Sequence, residues 1–122
     1  PGLADRFFEP TVITGLCPKM LAWQEETFGP LCPVCSFSEV DEGLIMANDT
    51  PYGLASYACT SDSEIIDRLG REIQSGVIGI NDPGPAIAQV PMGGVGYSGY
   101  GREGGKWAFE PYLAAVTVSR QM

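Results

Sequence analysis

Short apolar runs alternate with amphipathic segments along most of this chain. Four apolar or β-branched runs predict strands, at residues 11–14, 31–37, 55–60 and 77–80. Two segments between them place apolar side chains on one helical face, at positions 40, 44 and 47 and at positions 65, 66, 69 and 73. The alternation of strand and helix predicts an α/β fold with a twisted, mostly parallel sheet and crossover helices.

Polar residues at the segment ends predict where the helices begin and end. Ser38 can cap the first helix, with Asp41 three residues later in an approximate capping box. Asp62 or Ser63 can cap the second helix, which Gly76 is expected to stop.

The last third of the chain has weaker signals. Residues 81–101 are rich in Gly and Pro and predict an ordered loop at a sheet edge. Residues 102–113 are a weak helix candidate, and residues 115–119 alternate as a terminal strand.

Composition narrows the class of protein. With 122 residues, 44% of them hydrophobic and 18% charged, the chain can form one modest globular core. The net charge of −8 argues against nucleic-acid binding, which needs clustered Lys and Arg. No apolar run approaches the roughly 20 residues of a membrane-spanning helix. Because the first residues lack the pattern of a signal peptide, a cytoplasmic location is expected.

The four cysteines, at positions 17, 32, 35 and 59, suggest neither a disulfide nor a metal site. On a strand, Cys32 and Cys35 would lie about 10 Å apart, whereas a disulfide needs Cα atoms nearer ~5.5 Å. Zinc would need two further ligands, and the chain has no histidine. We therefore expect four buried free thiols and no metal.

The glycine-rich segment 93–105 matches the dinucleotide pattern G-x-G-x-x-G twice, but only weakly. A long loop precedes it where a strand should lead directly into the glycines. Ser98 misses the nucleophile elbow because Tyr100 stands where a glycine is required. The residues alone favour tight backbone packing as the reason for these glycines.

Three segments in order resemble a known enzyme family: Glu-Glu-Thr-Phe-Gly-Pro at 25–30, Asn-Asp-Thr-Pro-Tyr-Gly-Leu at 48–54, and Gly-Gly-Val-Gly-Tyr-Ser-Gly-Tyr-Gly-Arg-Glu at 93–103. They resemble the C-terminal part of NAD(P)-dependent aldehyde dehydrogenases. The resemblance implies that residues 1–113 are the C-terminal portion of the catalytic domain and that residues 114–122 are an oligomerisation strand. It also implies that the nucleophilic cysteine and the dinucleotide-binding domain lie upstream, so no catalytic residue is assigned in this chain.

The same resemblance gives two residues a role with NAD or NADP. Glu26 would accept hydrogen bonds from the hydroxyls of the nicotinamide ribose, and Phe28 would pack near the nicotinamide. Without the resemblance, the simpler interpretation is that Glu25 and Glu26 are solvated loop carboxylates and that Phe28 belongs to the core.

The family resemblance also indicates where an aldehyde would bind. The loop 82–92 would form one wall of the pocket, with Ala86, Ile87 and Met92 as its candidate residues. Met92 stands where the family has Phe, and Gly96 where it has Lys. The segment looks most like the succinate-semialdehyde branch, although Ala86 and Ile87 replace a serine that often helps to hold the distal carboxylate. A medium-chain or aromatic aldehyde is the alternative substrate.

The implied reaction is oxidation of a small aldehyde to the carboxylic acid through an upstream cysteine thioester. This chain by itself is expected to be inactive. Two alternatives stay open: an acyl-phosphate or acyl-CoA-linked reductase on the same fold, and a non-catalytic folding or assembly module.

The resemblance implies that the full-length protein is a homo-oligomer that pairs through residues 114–119, and an alternating strand at a chain end leaves an edge to be covered. The alternative is a strand added to the chain's own sheet. Deletion of residues 114–122 is expected to lower the native mass, measured by light scattering. An unchanged native mass would show that the strand is not the interface.

Overall fold

The four strands predicted between residues 11 and 80 form, and the terminal strand predicted at residues 115–119 does not form in the described chain. The structure, a computed structural model, describes residues 6–85 and 87–122. The strands are β1 (Thr11–Thr14), β2 (Leu31–Val34), β3 (Ala55–Ala58) and β4 (Val77–Ile80). The α-helices are α1 (Leu21–Gln24), α2 (Val40–Asn48) and α3 (Ser63–Glu72). Two 3₁₀ helices follow, at Gly96–Ser98 and Lys106–Tyr112. The order of elements confirms the α/β class.

The strands pair two by two. β1 runs parallel to β2 with Thr11 opposite Leu31, and β3 runs parallel to β4 with Ala55 opposite Val77. Parallel pairing through crossover segments is confirmed, but the pairs form two sheets where the pattern suggested one. The local pattern marks strands and crossovers but carries no signal for how many strands join one sheet.

The chain divides into two compact units, Pro1–Gly43 with the β1–β2 pair and Leu44–Met122 with the β3–β4 pair. None of the helices in the described part of the chain is long and apolar enough to cross a bilayer.

Helix α3 begins as predicted and ends earlier. The Asp62 carboxylate accepts the backbone N–H groups of Glu64 at 2.8 Å and Ile65 at 3.2 Å, so Asp62 is the N-cap. The helix ends at Glu72 rather than near Gly76. The reason is a tertiary contact: the Asn48 amide donates to the Glu72 carbonyl and accepts the Gln74 N–H, both at 2.8 Å. This side chain satisfies backbone groups that a helix end leaves unpaired.

Helix α2 begins at Val40 and ends at Asn48, close to the predicted bounds. The capping box differs by one residue from the prediction. The Ser38 N–H donates to the Glu42 carboxylate at 2.9 Å, so Glu42 takes the role expected of Asp41.

Burial is lower than the apolar pattern predicts. In the described residues the buried large apolar side chains are Leu16, 8% exposed, and Leu44, 6% exposed. Cys32 and Cys59 are exposed and Cys17 and Cys35 are half-buried, so the expectation of four buried thiols is wrong. The physical reason is that two strands cannot enclose a core, and each face stays open unless other elements pack on it.

The end of the chain forms no strand with the rest of it. The weak helix candidate at 102–113 is a 3₁₀ helix, Lys106–Tyr112, that contains Pro111. Residues 113–122 are exposed and pair with no strand in the described chain. Pairing of residues 115–119 with a second subunit stays a prediction.

Two glycines provide a test of the packing in the second unit. A Cβ at Gly76 would overlap the carbonyl oxygen of Gly93, whereas a Cβ at Gly70 in α3 would meet nothing within 4 Å. Gly76→Ala is therefore expected to lower the free energy of unfolding by about 1–3 kcal/mol. Gly70→Ala should leave it unchanged or raise it by up to about 1 kcal/mol. Urea unfolding of the purified proteins measures both, and equal effects would contradict this packing.

Candidate functional site

The loop that carries Glu26 and Phe28 lies between α1 and β2 in the first unit and is tied at both ends. At its start the Glu25 N–H donates to the Leu21 carbonyl at 2.8 Å. At its end the Pro30 carbonyl accepts the Thr11 N–H of β1 at 2.9 Å. The backbone of the loop is therefore anchored to a helix and to a strand.

Both predicted cofactor residues are accessible on this loop. Glu26 is exposed, and the Phe28 side chain is 91% exposed. The interpretation of Phe28 as a core residue is therefore wrong for this chain. An exposed ring beside an exposed carboxylate can contact a planar apolar group and a hydroxyl-bearing group of one ligand.

In the second unit, the peptide groups of Gly53 join three segments. The Gly53 carbonyl accepts the N–H groups of Gly76 and Val95, both at 3.0 Å, and the Gly53 N–H donates to the Ser98 hydroxyl at 3.0 Å. Gly53 is buried, and a Cβ there would lie 2.5 Å from the Gln74 carbonyl oxygen. The sequence therefore needs glycine at this position.

Ser98 has a structural role. Its hydroxyl accepts the Gly53 N–H. The Ser98 residue sits in the 3₁₀ helix Gly96–Ser98, where the Tyr97 N–H also donates to the Pro51 carbonyl at 2.9 Å. These bonds dock the glycine-rich segment on the turn that precedes β3.

The glycine-rich segment folds back on the predicted aldehyde loop. Met92 and Glu103 form an antiparallel bridge with two backbone hydrogen bonds of 2.7 Å, and the Gly105 N–H donates to the Ala88 carbonyl at 3.0 Å. Arg102 Nη1 donates to the carbonyls of Gly94 at 2.9 Å and Gly101 at 2.7 Å. We call this paired arrangement of residues 88–94 and 101–105 the glycine clasp.

The glycine clasp includes Met92, one of the predicted pocket residues. Met92 lines a groove of about 570 Å³, whose wall also includes Tyr100, Arg102 and Tyr112. Ile87 is exposed and lies outside that groove. Ala86 lies outside the described residues. Glu26 and Phe28 belong to one compact unit, and Ile87 and Met92 belong to the other.

Sequence reasoning missed the residues whose side chains bind backbone groups far away in the chain. Asn81 donates to the Thr60 carbonyl at 2.7 Å and accepts the Thr60 N–H at 3.0 Å, with a positive φ of 55°. An Asn directly after a strand is a signal for such a turn, because Asn tolerates the left-handed conformation. Ser98 and Arg102 had no comparable local signal.

The described residues include no group of three or more His, Cys, Asp or Glu side chains that could hold a metal ion.

Known proteins match this chain over most of its length. A family model described as the aldehyde dehydrogenase family matches residues 2–118. Aminoaldehyde dehydrogenase 1, peroxisomal, of Pisum sativum is 44% identical over 114 residues, which are 93% of this chain and 23% of that protein.

Solved structures also match this chain. An oxidoreductase from Marinobacter aquaeolei matches with a TM-score of 0.85 and 40% identity, over 94% of this chain and 24% of that one. Betaine aldehyde dehydrogenase from Staphylococcus aureus in complex with NAD+ matches with a TM-score of 0.82 and 42% identity, over 88% of this chain and 21% of that one. The chain thus spans about a quarter of the length of the proteins it matches.

The names of these relatives bear on the expected substrate and on the expected cellular location. Their names refer to aminoaldehydes and betaine aldehyde, and they lend no support to the succinate-semialdehyde branch. The relative from Pisum sativum is described as peroxisomal, so the cytoplasmic location stays a prediction.

Proposed function

The chain belongs to the aldehyde dehydrogenase family, and on this premise we propose that it is part of a longer enzyme that oxidises an aldehyde with NAD+ or NADP+. The observation that carries the proposal is the match over residues 2–118, together with 42% identity to a betaine aldehyde dehydrogenase in complex with NAD+. Aldehyde, water and oxidised cofactor would give the carboxylic acid, reduced cofactor and a proton.

The chemical steps divide between this chain and the region that we propose lies upstream. An upstream cysteine thiolate would attack the aldehyde carbon, and after hydride transfer water would hydrolyse the resulting thioester. Bound NAD(P)+ would supply the hydride acceptor. None of the four cysteines of this chain lies in a segment that resembles the nucleophile motif, so we propose that this chain binds and orients without supplying the nucleophile.

Glu26 fits a role in holding the cofactor. Its exposed carboxylate can accept hydrogen bonds from both hydroxyls of a ribose, and charge-assisted bonds of this kind are about twice as strong as neutral ones. The anchored loop would fix the carboxylate in place, and a fixed ribose would orient the ring for hydride transfer.

Phe28 would complete this contact. Its ring is almost fully exposed in this chain, and an exposed ring of this size favours burial against another apolar surface. Packing beside the nicotinamide would exclude water from the reacting carbon.

The candidate wall residues Ile87 and Met92 bear on the class of aldehyde, and of the two Met92 lines the groove. Neither side chain can hydrogen-bond a distal carboxylate, and leaving a buried carboxylate unpaired is costly. Arg102 also lines the groove, with its Nη1 bonded to two backbone carbonyls. On the names of the relatives we place an amino- or trimethylammonium-bearing aldehyde ahead of succinate semialdehyde.

The exposed chain end supports assembly. Val116 and Val118 are 81% and 86% exposed, and residues 114–119 have no strand partner in the described chain. Pairing with a second subunit would satisfy the backbone groups of this segment and cover its apolar side chains.

Glu26 and Glu25 form a matched pair for testing the cofactor role. In the full-length enzyme, Glu26→Gln is expected to lower kcat/KM for the cofactor about ten- to a hundred-fold, the equivalent of about 1.5–3 kcal/mol for a hydrogen bond to a charged group. Glu25→Gln should change it less than about twofold, since a surface substitution costs within about 0.5 kcal/mol. Equal, small effects from steady-state kinetics would contradict the role of Glu26.

A second prediction concerns the substrate. The full-length enzyme is expected to have a higher kcat/KM for an aminoaldehyde than for succinate semialdehyde, by about tenfold or more, because the relatives are named for aminoaldehydes and betaine aldehyde and Met92 offers a distal carboxylate no hydrogen bond. Initial rates with both aldehydes at one cofactor concentration measure the ratio. A clear preference for succinate semialdehyde would reverse the order.

A further inference from the structure

We propose that Arg102 is a positioning residue that fixes the Met92 wall and thereby sets which aldehydes are accepted. The inference rests on the proposed function, since it assumes that Met92 borders the aldehyde. Arg102 lines the same groove as Met92, and the role proposed for it is to hold Met92 rather than to bind the substrate.

The first observation is the pair of acceptors that Arg102 holds. Nη1 donates to the carbonyl of Gly94, which lies two residues after Met92, and to the carbonyl of Gly101 on the opposite side of the clasp. Gly94 is buried and Arg102 is half-buried, so the bond to Gly94 is partly shielded from competing water, whereas the bond to Gly101 is exposed. One guanidinium nitrogen thus links the two sides of the glycine clasp.

The second observation is the close packing beside Met92. A Cβ at Gly93 would overlap the Gly101 carbonyl and lie 3.0 Å from Arg102 Cδ. The Arg102 stem therefore covers the residue next to Met92, with no room for a side chain between them. The conformation of Gly93, and with it the direction of Met92, depends on where Arg102 lies.

The third observation is how few other contacts hold this stretch. In the described residues, the backbone of Met92 forms hydrogen bonds only with Glu103, across the bridge, and both are 2.7 Å long. Glu103 is the residue after Arg102, so the side chain and the bridge act on neighbouring positions. Removing the guanidinium would leave the bridge, the packing of Gly93 on Gly76 and the Val95–Gly53 bond, but it would remove the side-chain link from Gly94 across the clasp.

Arginine suits this role better than lysine. Its planar group carries several donors in a fixed arrangement, whereas an ammonium is a compact, strongly hydrated charge on a flexible stem. Lysine can still donate to one carbonyl. We therefore expect Arg102→Lys to retain part of the positioning of Met92 and Arg102→Met to lose it.

The test uses the full-length enzyme and a series of aldehydes that differ by one methylene. Met92→Ala should shift the chain-length preference, the ratio of kcat/KM values for long and short aldehydes, by about tenfold. Arg102→Met should shift this ratio by a similar factor, and the double variant should show no further shift. The KM for the cofactor should stay within about twofold, since the proposal gives neither Arg102 nor Met92 a contact with the cofactor.

Two further variants separate positioning from general loss of structure. Arg102→Lys should shift the ratio by about half as much as Arg102→Met on a logarithmic scale, and it also serves as the test variant if Arg102→Met does not fold. Arg71→Met removes a cation from the exposed surface of α3 and should leave the ratio unchanged.

The outcomes distinguish a failure of the role of Arg102 from a failure of the pocket wall at Met92. A normal ratio in Arg102→Met or an unshifted ratio in Arg102→Lys, beside a shifted ratio in Met92→Ala, would overturn the role of Arg102 alone. An unshifted ratio in Met92→Ala would overturn the pocket wall and the inference with it.

Discussion

The hydrogen bonds of Gly53 hold the second unit together. Its carbonyl accepts the N–H groups of Gly76 and Val95, and its N–H donates to the Ser98 hydroxyl. The first of these contacts joins the residue before β4 to the segment that leads into β3, and the other two dock the glycine-rich segment on the same peptide. A side chain at Gly53 would meet the Gln74 carbonyl, so the contact requires glycine. The clasp that carries Met92 extends from this point.

The regular elements of the fold follow from local patterns. The β-branched run at Thr11–Thr14 and the Asp62 cap of α3 lie within a few residues of their predicted positions, because both depend on neighbours in the sequence. The end of α3 depends on Asn48, which lies 24 residues before Glu72, and no local signal marks that contact. Cys32 is exposed for a related reason: an apolar run predicts a strand but not what covers it.

The candidate site was predictable only through its resemblance to a family. Composition and spacing favour a solvated carboxylate at Glu26 and a core ring at Phe28, and the structure leaves both side chains exposed on an anchored loop. Met92 was predicted as a wall residue, but its support by Arg102 was not. Two backbone carbonyls seven residues apart become neighbours only when the clasp closes, and the sequence contains no motif for that closure.

We propose that this chain belongs to an enzyme that converts an aldehyde to a free acid with reduction of NAD(P)+. The stoichiometry of the full-length enzyme incubated with aldehyde and cofactor tests this directly, with acid quantified by chromatography and reduced cofactor by absorbance. We expect one acid for each reduced cofactor, without added coenzyme A or phosphate. Cofactor reduction that requires either addition, or acid formed without cofactor reduction, would contradict it.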